Sequence, residues 1–178
     1  MRHPGTRVTA PALHRRWWAG RGTGAWTRST AGAAPGAAEP LVISGAETLA
    51  EASIGTWLPP ARLSPENTAL ATRIAAAART TRPTLNRADS PPARDPIRKP
   101  STGTGTCHGA LLVATGRLDA FLLLGAGPWD IAPLVPIIEE TGGSYDDLTT
   151  TPSTEAVSAL FTNHVLRQQI LNATNHRF

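Results

Sequence analysis

At 178 residues the chain is long enough for one domain of ordinary size with a real core. Only 5% of residues are aromatic, 16 are glycine and 16 proline, and the apolar residues concentrate after position 104, which implies a compact C-terminal part and a looser N-terminal one. Cys107 is the single cysteine, which excludes an internal disulfide and a cysteine metal cluster; no run of about 18 apolar residues offers a spanning helix, and Met1-Arg2-His3-Pro4-Gly5 lacks an apolar signal core. The expected location is cytoplasmic, with no membrane partner.

Charge divides the same way. Residues 1–99 hold 14 of the 17 basic residues and 6 acids, whereas residues 100–178 hold 3 basic and 7 acidic ones. A basic half can signal nucleic acid, but these arginines are scattered among Ala, Pro and Thr, and Lys99 is the only lysine. No specific nucleic-acid partner is expected.

In chain order, Val8 to Ala12 and Arg16 to Ala19 read as two short strands, with Arg21-Gly22-Thr23-Gly24 as the next turn. Such a turn can cradle phosphate, but without a following helix a tight bend is the simpler reading. Trp17, Trp18 and Trp26 then pack on a sheet. Thr27 to Glu39 is a surface loop, Leu41 to Ser44 a strand, Thr48 to Ala52 a short helical turn, and Ser53 to Trp57 another strand. Pro65 to Ala78 is a helix capped by Ser64, with Glu66 in its first turn and Leu70, Ile74 and Ala77 on one face. The alternation predicts an α/β layered architecture. Thr80 to Ser101, rich in Pro and Arg, cannot bury enough apolar surface to offset its ordering entropy. The organisation predicted is 1–79 with hairpin, strands and helix, 80–103 as an irregular loop, and 104–178 as a C-terminal α/β part.

The densest chemistry lies at Pro128-Trp129-Asp130-Ile131-Ala132-Pro133. Asp130 before an apolar run reads as a helix N-cap, with Ile131, Leu134, Val135 and Ile138 at helical spacing and Gly142-Gly143 as the stop. Pro133 falls in the first turn, and Pro136 should bend the helix. Asp146-Asp147 reads as a turn. None of His3, His14, His108, His164 and His176 has a partner at ligand spacing, and Ser44 and Ser53 lack a nucleophile elbow.

Trp129-Asp130-x-Ala132, followed by Glu140-x-Gly142-Gly143, resembles the C-terminal signature of the inositol monophosphatase family of magnesium-dependent phosphatases. The wording Asp130 to Ile137 is closest to the branch that includes histidinol-phosphate phosphatases. Three more segments match in order: Trp17 to Trp26 resembles the hairpin ending in R-G-x-G-A, Leu112 to Ala120 the V-A-x-G-x-x-D segment, and Phe161-Thr162-Asn163-His164 the last strand and closing helix.

The resemblance implies the C-terminal half of the family's layered sheet-and-helix fold, with the N-terminal half absent. That half carries a Glu and a D-P-x-D-G-T motif, supplying most metal ligands and the phosphate-binding amides; here no Asp or Glu precedes Glu39. It also implies a magnesium-dependent phosphomonoesterase acting on a phosphorylated small molecule such as inositol phosphate or histidinol phosphate. In such an enzyme water attacks phosphorus in line between metal ions. Asp130 would be the retained magnesium ligand, Thr106 would stand in the substrate-facing loop, and a homodimer is a candidate assembly. Leu123 stands where relatives have a substrate-binding Glu. Magnesium wants near-octahedral oxygen ligation, so weak or no activity is expected of this chain by itself; the alternative is a truncated fragment or pseudoenzyme with a structural role.

Overall fold

The computed structural model describes residues 5–57, 63–82, 106–149 and 157–173. Its first sheet is antiparallel, in the order β1 (Thr6–Ala10), β2 (Arg15–Ala19), β3 (Ala25–Ser29), β4 (Glu39–Pro40). The predicted hairpin is there, shifted by two residues because Pro11–Leu13 forms a 3-10 turn rather than extending β1. Alternation along these strands puts Trp17, Ala19 and Ala25 into the core.

The second sheet has five strands in the order β6 (Thr80–Arg82), β5 (Ser53–Trp57), β7 (Ala120–Ala126), β9 (Val157–Asn163), β8 (Gly143–Asp147). β5 is parallel to β6 and β7, and the remaining pairs are antiparallel. Covered on both faces, β7 is a nearly continuous apolar run, Ala-Phe-Leu-Leu-Leu-Gly-Ala. Gly125, at positive φ, marks the register shift between Leu123 and Ala126.

Two cores separate four layers. One lies between the two sheets and includes α2 (His108–Ala114) and α4 (Val135–Glu140), with Val113, Ile137, Phe121 and Phe161 fully buried. The other lies on the far face of the second sheet, beneath α1 (Pro65–Ala77) and α5 (His164–Ala173), and holds Ile54, Ile74, Leu122 and Ile170. This is the layered α/β arrangement predicted, with β5 and β7 joining the segments before and after residues 80–103 into one sheet.

The cap predicted for α1 is present, and a glycine ends α2. The Ser64 hydroxyl caps α1 by accepting from the Asn67 amide at 3.2 Å. Gly116, at φ +67°, closes α2: its amide donates to the Val113 carbonyl at 2.9 Å and the Arg117 amide to Leu112 at 2.9 Å, a left-handed helix stop.

Others are corrected. Leu41 to Ser44 is not a strand: the ladder ends at Pro40, only Leu41 is buried, and it is held by its amide donating to Ala25 at 2.8 Å. Thr48 to Ala52 is a turn rather than helix, and Thr27 to Ser29 belongs to β3 rather than to the loop. Asp146-Asp147 is not a turn but the end of β8, where Asp146 is buried by its bidentate pairing with Arg167 of α5. Of the segment predicted as irregular, Thr80 to Arg82 forms β6 and residues 83–103 lie outside the described residues.

Candidate active site around Asp130

The chain leaves β7 at Gly127 and enters α3 (Pro128–Ile131), so Asp130 is not the N-cap. Gly127 occupies that position in extended conformation, without a side-chain cap, and Asp130 is the third residue of the turn, its amide donating to the Gly127 carbonyl at 2.9 Å. A Cβ at Gly127 would lie 2.3 Å from the Trp129 ring, so a side chain there would displace the indole. Trp129 itself is 70% exposed.

The single bent helix expected after Asp130 is two short helices, α3 and α4, separated by Ala132–Leu134. Pro133 and Pro136 together remove the amide donors that would bond to the Trp129 and Ala132 carbonyls, so the helix interrupts between them and restarts with Pro136 in the first turn of α4. Ile131 and Leu134 on either side of the break remain core anchors.

Among the described residues the Asp130 carboxylate receives no hydrogen bond. The Cys107 thiol donates to the Asp130 backbone carbonyl oxygen at 3.9 Å. The two segments that the sequence assigns to one site, Thr106–His108 and Pro128–Ile131, are therefore brought together. Thr106 is partly buried in the turn before α2, next to Cys107. Burial, and secondarily the negative charge of Asp130, push the Cys107 thiol above its ordinary pKa, so it remains protonated and a poor nucleophile at neutral pH. His108 opens α2; burial, with help from Arg117, lowers its pKa and keeps it neutral, and its Nδ1 is enclosed without a partner.

The donor set does not fit magnesium by itself. Among the described residues no group of three or more His, Cys, Asp or Glu side chains could hold a metal ion. Asp119, eleven positions before Asp130, is used structurally: its carboxylate accepts from the Ser53 amide at 2.6 Å and its carbonyl from the Thr162 hydroxyl at 3.0 Å, joining β5, β7 and β9. Leu123 is fully buried in the inter-sheet core. His14 and His164 are exposed and stand apart from Asp130 in sequence and layer, while His3 and His176 lie outside the described residues.

The glycine turn holds an anion, but the anion is internal. The amides of Gly22 and Gly24 donate to the two carboxylate oxygens of Glu140 at 2.7 and 2.9 Å. These hydrogen bonds, with a smaller contribution from the nearby Arg21 charge, hold the Glu140 carboxyl below its ordinary pKa. The R-G-x-G-A and E-x-G-G segments are thus the two halves of one contact, which no single-sequence reading could pair across 118 residues. Asn163 was also missed as a structural residue. Its Oδ1 accepts from Leu166 at 2.8 Å to cap α5, and its Nδ2 donates to Ala46 at 2.9 Å; the signal was an Asn directly before an apolar helical run.

Comparison with known proteins agrees with this architecture. An inositol monophosphatase from Zymomonas mobilis superposes with a TM-score of 0.71 at 20% identity, over 98% of this chain and 58% of that one. A histidinol-phosphatase from Chlorobaculum parvum is 44% identical over 45 residues, 25% of this chain and 17% of its own length. A Streptomyces griseus protein named glucose-1-phosphate thymidylyltransferase is 33% identical over 144 residues, 79% of this chain and 43% of its own. The chain thus spans less than two thirds of the length of each. The sequence model of the inositol monophosphatase family matches residues 6–176, nearly the entire chain, and on that match and its fold the chain belongs to the inositol monophosphatase family.

Proposed function

We propose that this chain is the C-terminal half of a magnesium-dependent phosphomonoesterase, retaining Asp130 as a metal ligand and Thr106 as a substrate-side residue, and that by itself it hydrolyses phosphomonoesters weakly or not at all. The observation that carries this reading is that, among the described residues, the Asp130 carboxylate has no companion ligands in a family fold: one carboxylate does not make an octahedral oxygen site. That the chain covers 58% of the Zymomonas mobilis enzyme supports the same reading. The substrate is a small phosphomonoester of the inositol phosphate or histidinol phosphate type, the latter favoured by the Chlorobaculum parvum likeness. The domain division at 80–103 belongs to this proposal, as do a cytoplasmic location and a homodimer; among the described residues no helix is long and apolar enough to cross a membrane.

A second reading, a non-catalytic protein with a structural role, is favoured by one specific observation. The glycine-turn amides, which could have cradled phosphate, are taken by Glu140. Phosphate release from histidinol phosphate and inositol monophosphate at millimolar magnesium, measured beside Asp130→Asn, separates the two. Slow release lost in the variant supports a residual enzyme, and identical blanks support the second reading. Robust turnover would sink the proposal that the chain is insufficient alone.

A further inference from the structure

The turn at Arg21-Gly22-Thr23-Gly24, which the sequence marks as a possible phosphate cradle, has no part in the site around Asp130. Gly22 at φ +71° and Gly24 at φ +76° bring their amides to bear on one carboxylate, that of Glu140, one amide to each oxygen at 2.7 and 2.9 Å. The turn keeps its shape by bonds of its own. The Thr23 amide and hydroxyl both donate to the Gly20 carbonyl, at 2.9 and 2.8 Å, and the Trp26 indole N–H donates to the Thr23 carbonyl at 3.0 Å. None of these bonds involves Glu140, so the two amides stay convergent when its carboxylate leaves. Arg21 adds its positive charge beside them. Glu140 is the last residue of α4, where the partial negative charge of a helix end opposes a carboxylate, and it is only half-buried. The occupant is therefore held by the nest rather than by its own helix.

We propose that the Gly22–Gly24 turn is a phosphate-binding site, for inorganic phosphate or the phosphoryl group of a small monoester, and that Glu140 is an internal stand-in that closes it. A phosphate dianion offers the same pair of adjacent acceptor oxygens as the carboxylate and brings more charge to the Arg21 guanidinium. Its entry frees Glu140 and unties the first sheet from the end of α4, while the Thr6 hydroxyl still donates to the Pro133 carbonyl at 2.9 Å. The contact is then a latch between the hairpin and the segment that follows Asp130, opened by an anion. It requires neither a metal ion nor turnover, so it stands or falls separately from the phosphatase reading.

The test is an NMR titration of the full, nitrogen-15-labelled chain with inorganic phosphate at constant pH and ionic strength, following the Gly22 and Gly24 amides in the parent and in Glu140→Ala. Glu140→Ala should show saturable shifts centred on these two amides. The parent should reach the same shifts at roughly tenfold higher phosphate, because a tethered carboxylate competes at high effective concentration. Glu140→Gln, which removes the charge and keeps the size, serves if Glu140→Ala does not fold. Inositol monophosphate is titrated separately: a response at lower concentration than phosphate supports a phosphorylated small molecule as the occupant, and an equal response supports the free ion. The proposal is overturned by no saturable shift in either variant, by a parent that responds as strongly as the variants, or by a response to the monoester without one to phosphate. Unsaturated shifts spread over many basic residues, an adventitious ion only, equally overturn it.

Discussion

Glu140 closes the Gly22 turn: its Oε1 accepts the Gly22 amide at 2.7 Å, and its other oxygen the Gly24 amide at 2.9 Å. Gly22 and Gly24 both have positive φ, a conformation that points consecutive amides to one side and that other residues rarely adopt. The contact ties the first sheet to the end of α4, and hence to the segment that carries Asp130.

Its pH dependence follows from the sign of the shift. A carboxyl held below its ordinary value of 4.5 contributes stability that is present above that value and is lost as pH falls through the lower, folded-state one. Glu140→Gln should therefore lower the thermal midpoint near neutral pH, and the gap from the parent should shrink when both are melted at progressively lower pH below 4.5. A gap that is constant with pH would remove the electrostatic part of the account.

Gly109 on α2 lies directly against Phe121 of β7, and a Cβ there would sit 2.1 to 2.4 Å from the ring. Phe121 is fully buried, with no room to retreat. Gly109→Ala should destabilise by about 1–3 kcal/mol through overpacking, and adding Phe121→Leu should recover part of that loss in denaturant melts.

Arg167 grips Asp146 through Nε at 3.0 and 2.8 Å to the two carboxylate oxygens, with a further contact from its Nη2. Asp146 is 5% exposed. Arg167→Ala strands this carboxylate and should cost about 2 kcal/mol, measured by chemical denaturation. Arg167→Lys should recover only part, since an ammonium cannot reproduce the planar two-point contact.

Leu123 stands where the resemblance places a substrate-binding glutamate, but it is fully buried in the inter-sheet core. Leu123→Glu should destabilise by roughly 2–7 kcal/mol, the cost of an unpaired buried polar group, and should not create substrate affinity. A folded Leu123→Glu protein with a melting curve like the parent would show that this part of β7 borders a wet pocket.

How legible these features were depended on how local they are. The Ser64 cap and the Leu70 and Ile74 face of α1 are set within one or two turns of chain and read correctly, although Ala77, assigned to the same face, is exposed and Ala71 is buried instead. The Trp129-Asp130 signature pointed to the right fold, but the cap was misplaced: Pro128 starts the turn one position after Gly127, and two prolines split what periodicity presents as one helix. Asp146 looked like a turn residue because its partner lies 21 positions away on another element. The pairing of Glu140 with the glycine turn arises only from layer packing.

The central claim is that Asp130 alone gives this chain no firm magnesium site. Titration calorimetry of the full chain with magnesium chloride tests it most directly, with Asp130→Asn as the reference. The account predicts no saturable heat below millimolar magnesium and superimposable curves for the two proteins. A saturable submillimolar site that disappears in Asp130→Asn would contradict it.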